Sequence, residues 1–220
     1  MNNLNQLILK FDLKQNYKYE DFYVSNSNFF AYNLIDKWPR WEKNILNIYG
    51  EKYSGKSHLS NIFKKKNKAL KIQANELNND TLKEFKVFEN LIIEDFSENI
   101  DEKLMFSVFN IAEQDNKYIL INSLNSINQL NVKLDDLKSR LNNCLFAKIE
   151  KPDDELMFAI LLKNFSDRQI TIEKKLIDFI IKHVDRSYGK IHKFIYKLDE
   201  ISLIKKKSID FKIIKEALKD

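Results

Sequence analysis

The sequence predicts an α/β fold in which a parallel sheet with helices on both faces is followed by a small all-helical domain. Through roughly the first 150 of the 220 residues, short apolar runs alternate with helical patterns, as in parallel-sheet proteins. Two of the chain's three glycines bracket a loop between one such run and a helix. From Pro152 onward every pattern is helical, and Pro152 with the two carboxylates after it is a helix-start signal. The domain boundary is therefore expected near residue 150.

The individual elements follow from the spacing of apolar residues. Short apolar runs predict buried strands at Ile45–Tyr49, Leu70–Gln73, Leu91–Glu94, Tyr118–Asn122 and Leu145–Ile149. A helical period predicts helices between them near Asn28–Trp38, Lys56–Lys66, Asp101–Asp115 and Asp135–Leu141. The all-helical domain is expected to contain Asp154–Asn164, Glu173–His183, Ser187–Ile204 and Asp210–Leu218.

Composition restricts the class of protein. Hydrophobic residues at 44% and charged residues at 31% are typical of a globular chain. No apolar run approaches membrane-spanning length, and the N-terminus lacks the regions of a signal peptide, so no membrane association is expected. The single cysteine, Cys144, lies in an apolar run, which predicts a buried structural thiol and a reducing, cytoplasmic location.

A net charge of +5 raises the question of nucleic-acid binding. Lysines cluster at Lys64–Lys66 and Lys205–Lys207, but solvated helix ends explain both clusters at least as well. The sequence contains no zinc-ligand spacing, helix-turn-helix signature or RNA-binding motif. Any contact with DNA is therefore expected to be indirect or weak.

The glycine loop fits the phosphate-binding pattern G-x-x-x-x-G-K-[ST]. It follows an apolar strand and precedes a helical pattern, which leaves bound phosphates at a helix N-terminus. In this motif the lysine reaches the outer phosphates and the hydroxyl binds Mg²⁺. An ordinary glycine turn between strand and helix is the alternative. The predicted nucleotide contacts are Gly50, Glu51, Lys52, Tyr53, Ser54, Gly55, Lys56 and Ser57.

Two further strand ends carry polar residues suited to nucleotide chemistry. Glu94 and Asp95 end an apolar run, where one carboxylate would organise Mg²⁺ together with Ser57 and its neighbour would position the attacking water. The alternative is an acidic strand end that begins an exposed loop. Asn122 ends the next run and would lie beside the γ-phosphate.

Arg140 and the N-terminal segment each allow two interpretations. Arg140 would pair with Asp136 on a helix surface, or act as an arginine finger on a transferring phosphoryl group. Near the start, the alternation of Leu7, Leu9 and Phe11 predicts an extended segment with one apolar face. That segment would be either an edge strand or a peptide that docks in a partner's pocket.

Together these segments resemble the AAA+ domain of the bacterial replication initiator DnaA, and more closely the short DnaA relatives of the Hda group. The matching residues are Phe22–Asn28 with Ala31, Gly55–Leu59, Leu137–Leu141, Pro152–Glu155, Asp167–Gln169 and Arg186–Ser187. The Hda group opens with a sliding-clamp-binding peptide of the form Gln-Leu-x-Leu-x-(Phe/Leu), which is matched here by Gln6, Leu7, Leu9 and Phe11.

The resemblance implies a clamp-binding segment (residues 1–15), an AAA+ domain (16–150) and a helical lid (151–220), without the helix-turn-helix domain of DnaA. It implies a clamp-tethered regulator, bound to ADP or ATP with Mg²⁺, that stimulates hydrolysis of DnaA-bound ATP and so prevents re-initiation. Arg140 would then act in trans, and His58 would join the nucleotide contacts. A homo-oligomer is a further possibility.

Two departures from the DnaA pattern lower the expected turnover of the protein's own ATP. Glu94 stands where DnaA has an aspartate. In the lid, Gly189 and Lys190 occupy the region of an expected sensor arginine, and Lys190 would contact a phosphate only as a point charge. Weak or absent ATPase activity is therefore expected of the protein alone. The alternatives are a self-contained, DNA-associated ATPase of the helicase-loader kind and a membrane- or partner-recruiting paralogue.

Overall fold

The structure is a computed structural model that describes residues 21–219. Within that range five parallel strands form one sheet in the order β2-β3-β4-β1-β5. The strands are β1 (Ile45–Tyr49), β2 (Ala69–Gln73), β3 (Asn90–Phe96), β4 (Tyr118–Ser123) and β5 (Leu145–Lys148). The predicted α/β fold class is confirmed. The predicted docking peptide with Gln6, Leu7, Leu9 and Phe11 lies outside the described residues.

The helices of the sheet domain are α1 (Phe29–Lys37), α2 (Lys56–Lys66), α3 (Asn79–Val87), α4 (Glu102–Gln114) and α5 (Asp135–Asn142). Helix α3 was not predicted from the sequence. Its buried residues are Thr81 and Phe85, one helical turn apart. The helix begins at a capping box, in which the Asn78 side chain accepts from the N–H groups of Asp80 and Thr81.

The sheet is buried on both faces, because neighbouring residues of the central strands enter different cores. On one face Ile48 and Ile92 pack with Phe63 of α2. On the other, Ile93 and Ile121 pack with the buried side chains of α3, α4 and α5. Cys144 belongs to this second core, and burial raises the pKa of its thiol to about 12.

The C-terminal lid comprises α6 (Asp154–Asp167), α7 (Lys174–His183), α8 (Tyr188–Lys205) and α9 (Phe211–Ala217), which share a separate apolar core. The carboxylate of Asp153 is one of the groups that join the lid to the sheet domain. Asp153 accepts from the Ser27 hydroxyl (2.9 Å) and also caps α6 by accepting from Leu156 N (2.8 Å). No helix within residues 21–219 is long and apolar enough to span a bilayer.

The buried amide of Asn47 holds the turn that follows β4. Its Nδ2 donates to Ile121 O (3.1 Å) and Ser123 Oγ (2.9 Å), and its Oδ1 accepts from Ile127 N (3.1 Å). Asn47 is fully buried, so water cannot replace these bonds.

We expect Asn47→Ala to destabilise the protein by about 2–3 kcal/mol, because it leaves buried backbone groups without partners. Urea unfolding followed by circular dichroism measures this loss. The exposed Asn142 provides the control, since Asn142→Ala should change the free energy of unfolding by less than about 0.5 kcal/mol. Equal stability of the two variants would contradict the role assigned to Asn47.

Candidate nucleotide-binding site

The loop between β1 and α2 requires glycine at both glycine positions of the phosphate-binding pattern. Gly50 has φ 155°, and a Cβ there would lie 2.8 Å from the backbone oxygen of Ile149. Gly55 has φ 97°, in the left-handed region, and directly precedes α2. The backbone can therefore turn tightly and lead into the helix. The N-cap residue Gly55 has no side chain to cap α2, so the first N–H groups of the helix can receive an anion.

Lys56 spans this loop from the inside. Its ammonium donates to the carbonyl oxygens of Gly50 (2.8 Å) and Glu51 (2.9 Å). Burial lowers the pKa of Lys56, and the carboxylates of Asp95, Glu94 and Glu51 act in the opposite direction. A positive charge held beside a helix N-terminus makes the loop suitable for phosphate.

Three residues predicted from separate segments converge at the carboxyl edge of the sheet. The buried carboxylate of Glu94 accepts from Ser57 Oγ and from Asn122 Nδ2, both at 3.0 Å through Oε2. Its Oε1 lies 2.8 Å from the ammonium of Lys71. Burial acts to raise the pKa of Glu94, but these three partners outweigh it and hold that pKa below its ordinary value. Glu94 is therefore charged at neutral pH.

Asp95 points elsewhere than Glu94. It has φ 53° and an exposed side chain, within an irregularity of the β3–β4 register between Ile93 and Phe96. The carboxylates of Asp95, Glu94 and Glu51 act to raise the pKa of Lys56, against the effect of burial. Ser57 and Glu94 are oxygen donors suited to Mg²⁺ that are already in contact with each other.

The site also has buried polar atoms that suit a polar ligand. Ser54 Oγ, inside the loop, and Asn122 Oδ1, beside Glu94, are buried without a hydrogen-bond partner among residues 21–219. Buried polar atoms are normally paired, so the arrangement fits a ligand that supplies partners. The donors of the loop and these two atoms are together compatible with a nucleotide's phosphates.

Glu51 links the loop to the lid. Its carboxylate accepts from Gly189 N (3.0 Å), from Tyr188 N (3.1 Å) and from the hydroxyl of Ser187. A Cβ on Gly189 would lie 3.1 Å from Glu51 Oε1, so a glycine leaves room for the carboxylate. Burial acts to raise the pKa of Glu51, but these hydrogen bonds lower it below its ordinary value. The N-terminus of α8 is thus capped both by Ser187 of the lid and by Glu51 of the phosphate-binding loop.

Aromatic stacking forms a second link between loop and lid. The Tyr53 ring stacks on His192 of α8 at 3.9 Å, and His192 contacts Tyr196 at 4.7 Å. Arg168 lies over the Tyr196 ring. Lys190, predicted to contact phosphate, is instead paired with Asp185 in this structure.

Residues Phe22–Asn28, the first described segment that resembles DnaA, lie next to the phosphate-binding loop. The Phe22 ring contacts His58 edge-on at 5.2 Å and approaches Gly55. Asn28 closes the segment by accepting from Ser25 N (2.9 Å) and donating to Tyr23 O (2.9 Å). The contact with Phe22 therefore holds the His58 ring beside the loop.

Arg140 lies near the amino end of β1, at the opposite end of that strand from the phosphate-binding loop. It lines a cavity of about 320 Å³ together with Ile45, the first residue of β1, whereas the loop follows the last residue of that strand. Four residue steps of β1 separate the two ends by roughly 13 Å. Its ion-pair partner is Glu113 of α4, not the Asp136 expected on its own helix, and its guanidinium lies 5.1 Å from the Phe106 ring centre.

Sequence reasoning missed Lys71, the Glu51 cap and the Tyr53–His192 stack. The only signal for Lys71 was a lysine inside a predicted buried strand, Leu70–Gln73. The other two contacts join residues more than a hundred positions apart, and nothing local in the sequence indicates them.

Glu51→Ala should loosen the start of α8, because it removes the acceptor for two backbone N–H groups. We expect amide exchange at Tyr188 and Gly189 to accelerate about 5- to 30-fold, which corresponds to the roughly 1–2 kcal/mol of a helix cap.

The same cap depends on pH. Because the folded-state pKa of Glu51 lies below its ordinary value, the stabilisation is fully present above the ordinary carboxyl pKa and is lost as pH falls through the lower folded-state pKa. Hydrogen exchange with mass spectrometry measures both effects. Glu200→Ala, on the exposed side of α8, should leave exchange unchanged, and an identical response of both variants would contradict the cap.

Comparison with known proteins agrees with this geometry. Residues 153–218 match the family model described as "Hda, lid domain". The DnaA protein of Borreliella burgdorferi is 28% identical over 235 residues, covering 94% of this chain and 48% of the relative. The chain thus spans about half the length of the curated relatives it matches.

Two solved structures share the fold. Domain III of Thermotoga maritima DnaA superposes with a TM-score of 0.74 at 26% identity, covering 93% of this chain and 96% of that one. AMPPCP-bound DnaA from Aquifex aeolicus has a TM-score of 0.66 at 20% identity, covering 92% and 80%. The chain is therefore a DnaA-related AAA+ protein, homologous to domain III of DnaA.

Proposed function

We propose that this protein is a nucleotide-bound regulator that stimulates hydrolysis of DnaA-bound ATP and thereby prevents re-initiation of replication. The observation that carries the proposal is the position of Arg140, at the sheet edge away from the protein's own phosphate-binding loop. This position separates its guanidinium from the protein's own loop, which supports a role at the nucleotide of another molecule. The match of the lid to the Hda lid domain supports the same conclusion.

In this proposal Arg140 is an arginine finger in trans. Its planar cation would stabilise the charge on the γ-phosphoryl group of ATP bound to DnaA. Its partner Glu113 is mostly exposed, so the ion pair can be exchanged for a phosphate without leaving a buried charge unpaired. The Phe106 ring would keep the guanidinium in position during that exchange.

The protein's own loop would hold ADP or ATP chiefly as a structural ligand. Backbone N–H groups of the loop and Lys56 would bind the phosphates, with Lys52, Tyr53 and His58 around them, and Lys190 would join on leaving Asp185. Ser57, Glu94 and Asp95 would be the protein ligands of any Mg²⁺ that accompanies the nucleotide, although the ammonium of Lys71 beside Glu94 opposes tight binding of that ion. Glu94 is held by Lys71, Ser57 and Asn122 rather than directed at a water, so slow turnover is expected.

The N-terminal segment would tether the protein to the sliding clamp through Gln6, Leu7, Leu9 and Phe11. DnaA and the clamp are then the partners, and the basic charge would give at most weak contact with DNA. The same position of Arg140 allows two copies of this chain to meet in a homo-oligomer.

The competing function is a self-contained ATPase of the helicase-loader kind, which the net charge of +5 favours. Steeply salt-dependent DNA binding with Arg140-independent ATP turnover would support that alternative.

Arg140→Ala should abolish the stimulation of DnaA. In a reaction with clamp loaded on DNA and ATP-bound DnaA, we expect the stimulated hydrolysis rate to fall by about 10³- to 10⁵-fold, the usual contribution of an arginine finger. The protein's own nucleotide affinity should not change. Lys138→Ala, an exposed cation on the same helix, is the matched control and should retain full stimulation. Equal rates for wild type and Arg140→Ala would rule out the trans mechanism.

The clamp tether is tested separately by a pull-down on immobilised clamp. Leu9→Ala combined with Phe11→Ala should abolish retention, because it removes two side chains of the predicted apolar face. Ile8→Ala combined with Lys10→Ala changes the other face of the same segment and should retain binding. Retention of the Leu9–Phe11 double variant would show that this segment is not the anchor.

A further inference from the structure

We propose that Lys71 is a fixed cation of the nucleotide site, so that this protein binds its nucleotide with little need for Mg²⁺. The inference rests on the proposed nucleotide binding and assigns a role to a residue outside the phosphate-binding motif. Lys71 lies in β2, and its ammonium is 2.8 Å from Oε1 of Glu94 and 3.0 Å from Oδ1 of Asn61.

The sheet directs Lys71 to this position. Lys71 is paired with Ile92 of β3, and Glu94 is two residues further along, so both side chains point to the same face. That face is covered by α2, which contributes Asn61 and Ser57. The Lys71 side chain is 18% exposed and that of Glu94 is 3% exposed, so solvent screens their interaction only weakly.

Lys71 occupies the electrostatic role that Mg²⁺ has in other phosphate-binding loops. Oε2 of Glu94 accepts hydrogen bonds from Ser57 and Asn122, and Oε1 has the ammonium of Lys71 as its ion-pair partner but accepts no hydrogen bond. A divalent cation ligated by Glu94 would lie within a few ångströms of the ammonium and would be repelled by it. The donor set of the site therefore disagrees with tight Mg²⁺ binding.

The same geometry would place the ion-paired carboxylate of Glu94 next to bound phosphates. Lys71 and the Ser57 hydroxyl contact the two oxygens of one carboxylate, and Ser57 belongs to the first turn of α2, which would face the phosphates. Lys71 offsets the charge of Glu94, which would otherwise repel the phosphates, and Lys56 then meets the phosphate charge from within the loop. The carboxylate therefore needs no metal ion to neutralise it.

The test is the affinity of the full-length protein for ADP, measured by calorimetry in excess Mg²⁺ and in EDTA. Wild type should show dissociation constants within about threefold of each other in the two solutions. Lys71→Met keeps the aliphatic stem and removes the charge. It should weaken binding in EDTA by about tenfold or more and restore it largely in Mg²⁺, since the freed Glu94 can then ligate the metal.

Two further variants complete the test. Lys71→Arg retains a cation and should keep the weak metal dependence, whereas Lys68→Met removes an exposed lysine just before β2 and should behave as wild type. Metal-dependent ADP binding by wild type, or identical behaviour of Lys71→Met and wild type, would overturn the role of Lys71. The wild-type comparison decides even where Lys71→Met fails to fold. Failure of wild type to bind ADP in either solution would instead overturn the nucleotide site and this inference with it.

Discussion

The structure depends on a negative charge buried at the carboxyl edge of the sheet. Glu94 is 2% exposed, and an isolated carboxylate at such a depth would be strongly unfavourable. Its compensation comes from three elements: Lys71 of β2, Ser57 of α2 and Asn122 of β4. Because β3 lies between β2 and β4, the strand order brings those partners to one point. The nucleotide site is thus assembled by the requirement to compensate one charge.

A second carboxylate, Glu51, couples that site to the lid. It belongs to the phosphate-binding loop, yet its oxygens accept from the N–H groups of Tyr188 and Gly189. A change in loop conformation therefore alters the cap of α8, and the position of α8 in turn restricts the loop. Such coupling is reciprocal by thermodynamic necessity. Glu51 of the loop accordingly holds the lid at Tyr188 and Gly189. This is the region of the lid in which a sensor arginine was expected.

Most of the fold and part of the site follow from local sequence pattern. The five strands, the phosphate-binding loop and the lid helices were predicted because apolar spacing and glycine positions are short-range signals. Helix α3 was missed although a capping box starts it and its buried residues Thr81 and Phe85 lie one helical turn apart. The partners of Glu94, Glu51 and Arg140 could not be predicted, since each is set by strand order or by contact between distant segments. Residue types were readable from the sequence, and their pairings were not.

The parallel sheet also separates the two activities in the proposed function. Its carboxyl edge gathers the loop, Glu94 and Asn122, whereas its amino edge carries Arg140 against Glu113 and Phe106. Under the proposed function, a bound nucleotide and the guanidinium would lie at opposite ends of β1 and would not compete for the same groups. The site at the carboxyl edge would hold its nucleotide and turn it over slowly, without loss of the cation offered to a neighbour. The protein's own nucleotide would then set the shape of the loop and lid, and hydrolysis would occur in the partner.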